Sequence, residues 1–368
     1  MPLRAFIEDQ EIVAPLLDDE AWEALRLRVA EQNLRVILPC CDVEGYLRKS
    51  KYGTKHFAHK QNADCAVKSE TVEHLRAKAD IVLACKAAGY HASPEVAGED
   101  WRADVMATRG SVRIAFEVQW SFLRLSKALM RQRRYQRDNV RGCWFFRRPP
   151  APLHRADDIG PELEARQDLP LFHLYVNADG LFNAALNNRL YHLSDFVEAL
   201  LTGKVRFCKT ALGVSPLRLR AIFFEMDCPE CRRRSHLYFI DTTQDAPCGM
   251  RFKPDADWYS TDYAFHPVTL NAFKRYRETE RGARLRMAEI KPRQSLREGI
   301  SYLSFGCHAC DAIFDHDTID LALYGSQRFW EAQALDSFDI LLHKNAPVIG
   351  SAPHWCFPDH GRFCCAGS

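Results

Sequence analysis

Residues 113–121 read RIAFEVQWS, a pattern that fits an extended strand. Side chains on a strand point alternately to its two faces. Ile114, Phe116, Val118 and Trp120 therefore share one side, and Ala115, Glu117, Gln119 and Ser121 the other. The first face is suited to a core. The second sets a carboxylate beside an amide. That is either the wet face of an edge strand or a catalytic strand carrying a metal ligand.

Upstream, WRADVMA (101–107) is another extended run, and TRGS (108–111) is a turn whose glycine tolerates positive φ. Paired as a hairpin, the two runs bring Asp104 and Glu117 together on one face. Neighbouring carboxylates repel and need a cation. Mg²⁺ fits, because it takes hard oxygen ligands and keeps several waters. Such an ion lowers the pKa of a bound water and offsets charge on a phosphodiester. Taken alone, an Asp and a Glu on a hairpin are more often solvated surface residues, so the flanking segments decide.

Residues 69–88, SETVEHLRAKADIVLACKAA, read as a helix with Ser69 as N-cap, Glu70 at the positive end of the dipole and Gly89 as the stop. A second helix is expected over 122–138, followed by a strand at GCWFFRR. Helix, three strands, helix, strand predicts a mixed sheet flanked by helices, an α/β arrangement. Residues 1–60 form a small α+β unit: a hairpin, a helix capped by Asp18 or Asp19, and two further strands. The Pro-rich, charged stretch 147–170 reads as a linker. A hairpin around Asp179 and Gly180 follows, then a helix in LSDFVEALLTGKV capped by Ser194 and ended by Gly203. These boundaries give four segments: an N-terminal unit (1–60), a core (61–150), a linker with an accessory α/β segment (151–220) and a Cys-rich C-terminal region (221–368).

An acid on the first helix, an Asp on a strand and E-x-Q on the next strand resemble the PD-(D/E)XK nucleases, in the variant where glutamine replaces lysine. More narrowly, HFAHK (56–60), SETVEHLRAK (69–78), RADVMA (102–107), FEVQWS (116–121), RQRRYQ (131–136) and Trp144 occur in the order found in the competence protein CoiA-like family. The resemblance covers roughly residues 1–150 and implies a restriction-endonuclease-like fold and Mg²⁺- or Mn²⁺-dependent cleavage of DNA. By this resemblance, Asp104, Glu117 and the Val118 carbonyl bind the metal. Gln119 stands in for the usual lysine, Glu73 is the first-helix acid, and His74 and Lys78 lie close by on the same helix. Arg131 and Tyr135 touch the phosphate or brace the site. Because Gln119 is uncharged, Lys78 is the candidate source of the missing positive charge. The family pattern also carries C-x-x-C ahead of HFAH. Here only the adjacent Cys40 and Cys41 precede it, with Cys65 downstream, so Cys40, His59 and Cys65 stand as remnants of an N-terminal zinc site.

The net charge is only +2, yet residues 121–148 hold nine Lys or Arg and one acid, Asp138. This basic patch is expected to contact a DNA backbone, through Arg131, Arg133, Arg134 and Arg137, with Tyr135 among them. Of fourteen cysteines, Cys228 and Cys231 (CPEC) pair with Cys307 and Cys310 (CHAC) in the spacing of a structural zinc site, making the C-terminal region zinc-ribbon-like. His354, Cys356, His360 and Cys364 or Cys365 form a further candidate. The start of the chain lacks a basic segment followed by an apolar one, and no run of about 18 apolar residues occurs, so a reducing cytoplasmic setting is expected.

Three functions compete: a DNA nuclease acting in DNA uptake, recombination or antiviral defence; a catalytically silent DNA-binding protein on the same scaffold; and a zinc adaptor whose C-terminal lobe binds a protein partner. The oligomeric state is open, although the nucleases that the chain resembles often form homodimers to cut both strands.

Overall fold

The 101–121 hairpin forms with the register Arg109↔Val112, Thr108↔Arg113 and Val105↔Phe116, turning through Gly110 at φ 57°. The computed structural model describes residues 2–60, 65, 70–148, 165–213, 216–253, 263–294, 299–315, 319, 336–342, 348–357 and 365. They divide into two compact units, one built mainly from Met1–Cys208 and the other mainly from Lys209–Ala352.

The first unit starts with β1 (Arg4–Ile7) and β2 (Gln10–Val13), joined through Glu8 and Asp9, both at positive φ. Helix α1 (Asp19–Glu31) begins where Asp18 accepts a hydrogen bond from the Ala21 amide. Strands β3 (Val36–Leu38), β4 (Val43–Lys49) and β5 (Lys55–His59) complete a five-stranded sheet in the order β2-β1-β3-β4-β5. Trp22, Leu25 and Phe57 fill its small core.

Helix α2 (Val72–Ala87) starts later than expected. Ser69 lies outside the described residues, and the cap is Thr71, whose hydroxyl accepts from the His74 amide at 3.2 Å. Glu70 therefore lies ahead of the helix rather than in its first turn.

Strands β6 (His91–Ala97), β7 (Arg102–Arg109), β8 (Val112–Gln119), β9 (Arg141–Phe146), β10 (Leu171–Val176), β11 (Phe182–Leu186) and β12 (Arg189–His192) form one seven-stranded sheet in the order β12-β11-β10-β9-β8-β7-β6. Helix α3 (Leu125–Arg137) is the crossover that lets β8 and β9 run parallel. The β9–β10 pair is also parallel and the rest are antiparallel, so the sheet is mixed. The sheet does not stop near residue 150: β10–β12 continue it beyond the Pro-rich stretch, most of which lies outside the described residues. Helix α4 (Leu193–Leu201) follows, with Ser194 inside its first turn rather than capping it.

Phe116, Val118 and Phe145 belong to the core cluster that also takes in residues of α2 and α4, whereas Ala103, Ala115 and Trp144 cluster with residues of α3. Strand β8 is thus covered on both faces, and the edge-strand reading of its Glu117 side does not hold: Glu117 is only 3% exposed.

In the second unit, strand Leu217–Asp227 sits between Arg234–Asp241 and Asp336–Leu342, all antiparallel. The helix Pro267–Arg277 packs Phe273 and Tyr276 against Phe223 and Phe338. Another antiparallel sheet joins Glu289–Gln294, Ser301–Gly306 and Ile313–Phe314. Among the described residues, no helix is long and apolar enough to cross a membrane.

Candidate metal centre and nuclease site

The site is built where β7 breaks its ladders. The β6–β7 register runs through Pro94↔Val105 and Val96↔Ala103 but omits the Glu95–Asp104 pair between them, and the β7–β8 register starts only at Val105↔Phe116. Glu95 takes a left-handed φ of 59°, a conformation that non-glycine residues rarely adopt. Released from regular pairing, Asp104 accepts the Val118 amide on Oδ2 at 2.8 Å, and the same oxygen lies 3.3 Å from His74 Nε2 on α2. Burial opposes ionisation of Asp104. The His74 ring, Lys78 and the Val118 N–H outweigh it, holding the carboxyl down at about 2.

Glu70, His74 and Asp104 each present a ligand atom within 4.8 Å of the others. Glu70 reaches this cluster because it precedes α2. Glu73, the acid expected from the sequence, is turned toward Lys51, with Nζ 3.8 Å from its Oε1. Glu70 Oε1 accepts from Lys78 Nζ at 2.9 Å. Its Oε2 is 2.8 Å from the same nitrogen but is not aligned for a hydrogen bond. Two carboxylates and an imidazole grouped in this way suit a divalent cation of the Mg²⁺ or Mn²⁺ kind.

Lys78 is fully buried, which makes it the cation on the helix side of the site. Its ammonium also bonds Glu95 Oε1 at 2.7 Å. Burial works against the charge, but Glu95, Glu70 and Asp104 outweigh it and raise Lys78 above its ordinary value. Removing one partner of a buried ion pair typically costs about 3–5 kcal/mol, because the other is left uncompensated. Lys78→Met is therefore expected to lower stability by about that amount in urea unfolding.

Glu117 faces α3. Its Oε2 accepts from Arg131 Nη2 at 2.7 Å, and Oε1 takes a short hydrogen bond from the Tyr135 hydroxyl. Burial, then the Asp104 charge, push its carboxyl up to about 8 against the pull of Arg131 and Tyr135. Arg131 also lies over the Trp144 ring. Arg131 and Tyr135 thus brace the carboxylate. Gln119 is folded back on its own strand, its amide donating to Ser121 O at 2.8 Å. Of the other arginines expected on DNA, Arg134 and Arg137 are tied to Asp100, by 2.8 Å and 2.6 Å hydrogen bonds. Arg133 is exposed and has no ion pair among the described residues.

A family model described as "Competence protein CoiA, nuclease-like domain" matches residues 70–156. This segment is similar to the CoiA nuclease-like domain. No curated protein and no solved structure matches the chain. The matched segment contains Glu70, His74, Lys78, Glu95, Asp104, Glu117 and Arg131, so the whole cluster lies inside the match, while β10–β12 extend the sheet beyond it.

Two cysteine groups stand apart from this centre. Cys40, Cys41, His59 and Cys65 present ligand atoms within 4.8 Å of one another. His59 Nε2 lies 3.4 Å from Cys40 Sγ and 3.2 Å from Cys41 Sγ. Cys41, passed over in the sequence because adjacent cysteines break the usual spacing, completes a four-ligand set.

In the second unit, Cys228, Cys231, Cys307 and Cys310 converge, with Cys228–Cys310 and Cys231–Cys307 sulfur separations of 3.6 Å. Tetrahedral zinc with Zn–S bonds of about 2.3 Å needs sulfurs about 3.8 Å apart. The two knuckles repeat one turn. Arg232 N donates to Cys228 O and Asp311 N to Cys307 O, and both Arg232 and Asp311 have positive φ. Burial opposes thiolate formation at Cys307, but donors including the Ala309 amide and the Ser235 hydroxyl lower it to about 6.

Of the C-terminal candidates, His360 and Cys364 lie outside the described residues. His354 and Cys356 are buried on the strand Val348–Cys356, and Cys365 Sγ is 3.8 Å from Cys248 Sγ.

Proposed function

We propose that this protein is a metal-dependent nuclease that hydrolyses DNA phosphodiester bonds, in DNA uptake, recombination or defence against foreign DNA. The observation that carries the reading is the convergence of Glu70, His74 and Asp104, with Glu117 next to it, inside the segment similar to the CoiA nuclease-like domain. Glu70, His74 and Asp104 would hold the divalent ion, with Glu117 alongside. When bound, the ion would supply an activated water and charge stabilisation on the phosphoryl group. Asp104 enters the reaction ionised and oriented by the Val118 amide. Arg131 and Tyr135 fix the Glu117 carboxylate, and Arg133 offers an exposed cation to the DNA backbone. The two four-ligand cysteine groups hold structural zinc in this reading.

A second reading has its own support. Gln119 is uncharged and turned onto Ser121, and Glu117 is sealed by two donors, as a catalytically silent DNA-binding protein would allow. Purified protein incubated with Mn²⁺ or Mg²⁺ and duplex DNA separates the two, with Glu117→Ala alongside. The nuclease reading expects wild-type cleavage that the variant loses while staying folded. Salt-sensitive binding with no turnover in either protein supports the silent reading.

A further inference from the structure

Among the buried charges near the site is the Glu95–Lys78 pair, whose side chains are 4% and 0% exposed. Glu95 belongs to β6, an edge strand, and takes a left-handed backbone at the point where the β6–β7 register skips from Pro94↔Val105 to Val96↔Ala103. It is 5% exposed. Oε1 takes both Lys78 Nζ at 2.7 Å and the Leu3 amide at 3.1 Å, Oε2 has no hydrogen-bond partner, and its carbonyl accepts from Arg4. A strained φ on a non-glycine residue and a buried ion pair are both costly, and well-packed apolar side chains often serve stability equally well. Packing therefore does not account for this arrangement.

What it accomplishes is mechanical. Glu95 anchors one side of the Lys78 ammonium, and the other side holds Glu70, the acid that completes the His74–Asp104 cluster. Glu70 lies ahead of α2, so helix geometry does not fix its position.

We propose that Glu95 is a positioning residue that acts through Lys78 to hold Glu70 on the metal centre, and so sets the affinity for the divalent ion. The inference rests on the metal-centre reading above. Groups that orient metal ligands typically change metal affinity about 10- to 100-fold when replaced.

The test titrates Mn²⁺ into the full-length protein by calorimetry and, separately, into a DNA-cleavage assay. Wild type, Glu95→Gln, Glu95→Asp, Glu70→Gln and the Glu70→Gln/Glu95→Gln double variant are compared. Glu95→Gln is expected to weaken Mn²⁺ binding about tenfold or more, and Glu95→Asp, with its shorter arm, to shift it in the same direction. In the double variant the Glu95 change should add little to the Glu70 change, because both act through one carboxylate.

Folding is checked by near-UV circular dichroism. Mn²⁺ affinity within twofold of wild type in the folded Glu95 variants, or full additivity in the double variant, overturns the proposal. So does failure of both Glu95 variants to fold, which makes Glu95 a stability residue. Wild type that binds no Mn²⁺ defeats the metal-centre reading itself. Wild type that binds Mn²⁺ without cutting DNA defeats the nuclease reading and leaves the positioning role to the calorimetry.

Discussion

Asp104→Asn is expected to reduce metal-dependent DNA cleavage about a thousandfold, equivalent to about 4 kcal/mol of transition-state stabilisation. The substitution is close to isosteric. Its amide oxygen still accepts the Val118 N–H, which sits 2.8 Å from the native carboxylate, so the fold is expected to survive. What disappears is the charge held ionised by His74 and Lys78, and with it the strongest anionic ligand in the cluster. A second effect follows. The Asp104 charge helps to raise the Glu117 carboxyl to about 8, so without it Glu117 ionises at lower pH. Initial rates on labelled DNA over a Mn²⁺ series, beside thermal unfolding midpoints, measure the loss. Cleavage within tenfold of wild type would remove Asp104 from the centre.

Cys228→Ser is expected to release one equivalent of zinc and unfold the cysteine-rich part of the second unit. Structural zinc contributes about 10–16 kcal/mol of apparent binding free energy in small zinc domains, and a whole domain is stable by only about 5–15 kcal/mol. The four thiols join segments far apart in the chain, one knuckle following the strand Leu217–Asp227 and the other following Ser301–Gly306. Losing the ion therefore detaches two sheets at once. Metal analysis by mass spectrometry and limited proteolysis of Lys209–Ala352 check this. Unchanged zinc content and unchanged protease resistance would rule the four cysteines out as a zinc site.

Much of the architecture was readable from local pattern. The alternation in 113–121, the glycine turn at 110 and the periodic run before Gly89 place β7, β8 and α2, and the two C-x-x-C pairs mark the cysteine cluster. What escaped depends on distant partners or on small shifts. With the α2 cap at Thr71 rather than Ser69, Glu70 lies ahead of the helix and comes within ligand distance of His74 and Asp104, while Glu73 lies near Lys51. The break at Glu95 has no signature in the local alternation, and the buried lysine that holds its side chain lies 17 residues away in sequence. Charge counting marked 121–148 as basic. It did not show that Arg134 and Arg137 are engaged by Asp100 and Arg131 by Glu117, pairs 34, 37 and 14 residues apart. Strand β10 joins β9 across a Pro-rich stretch that reads as a boundary, and parallel pairing leaves no turn motif to betray it.

A working divalent metal centre for DNA cleavage at Glu70, His74 and Asp104 requires metal-dependent turnover. Its most direct test incubates the purified full-length protein with end-labelled single-stranded, duplex and branched DNA, with Mn²⁺, with Mg²⁺ or with EDTA. Cleavage of at least one substrate with either ion, abolished by EDTA and restored by excess metal, is the predicted result. Intact DNA under every metal condition, from protein shown to be folded and to bind the DNA, would contradict it.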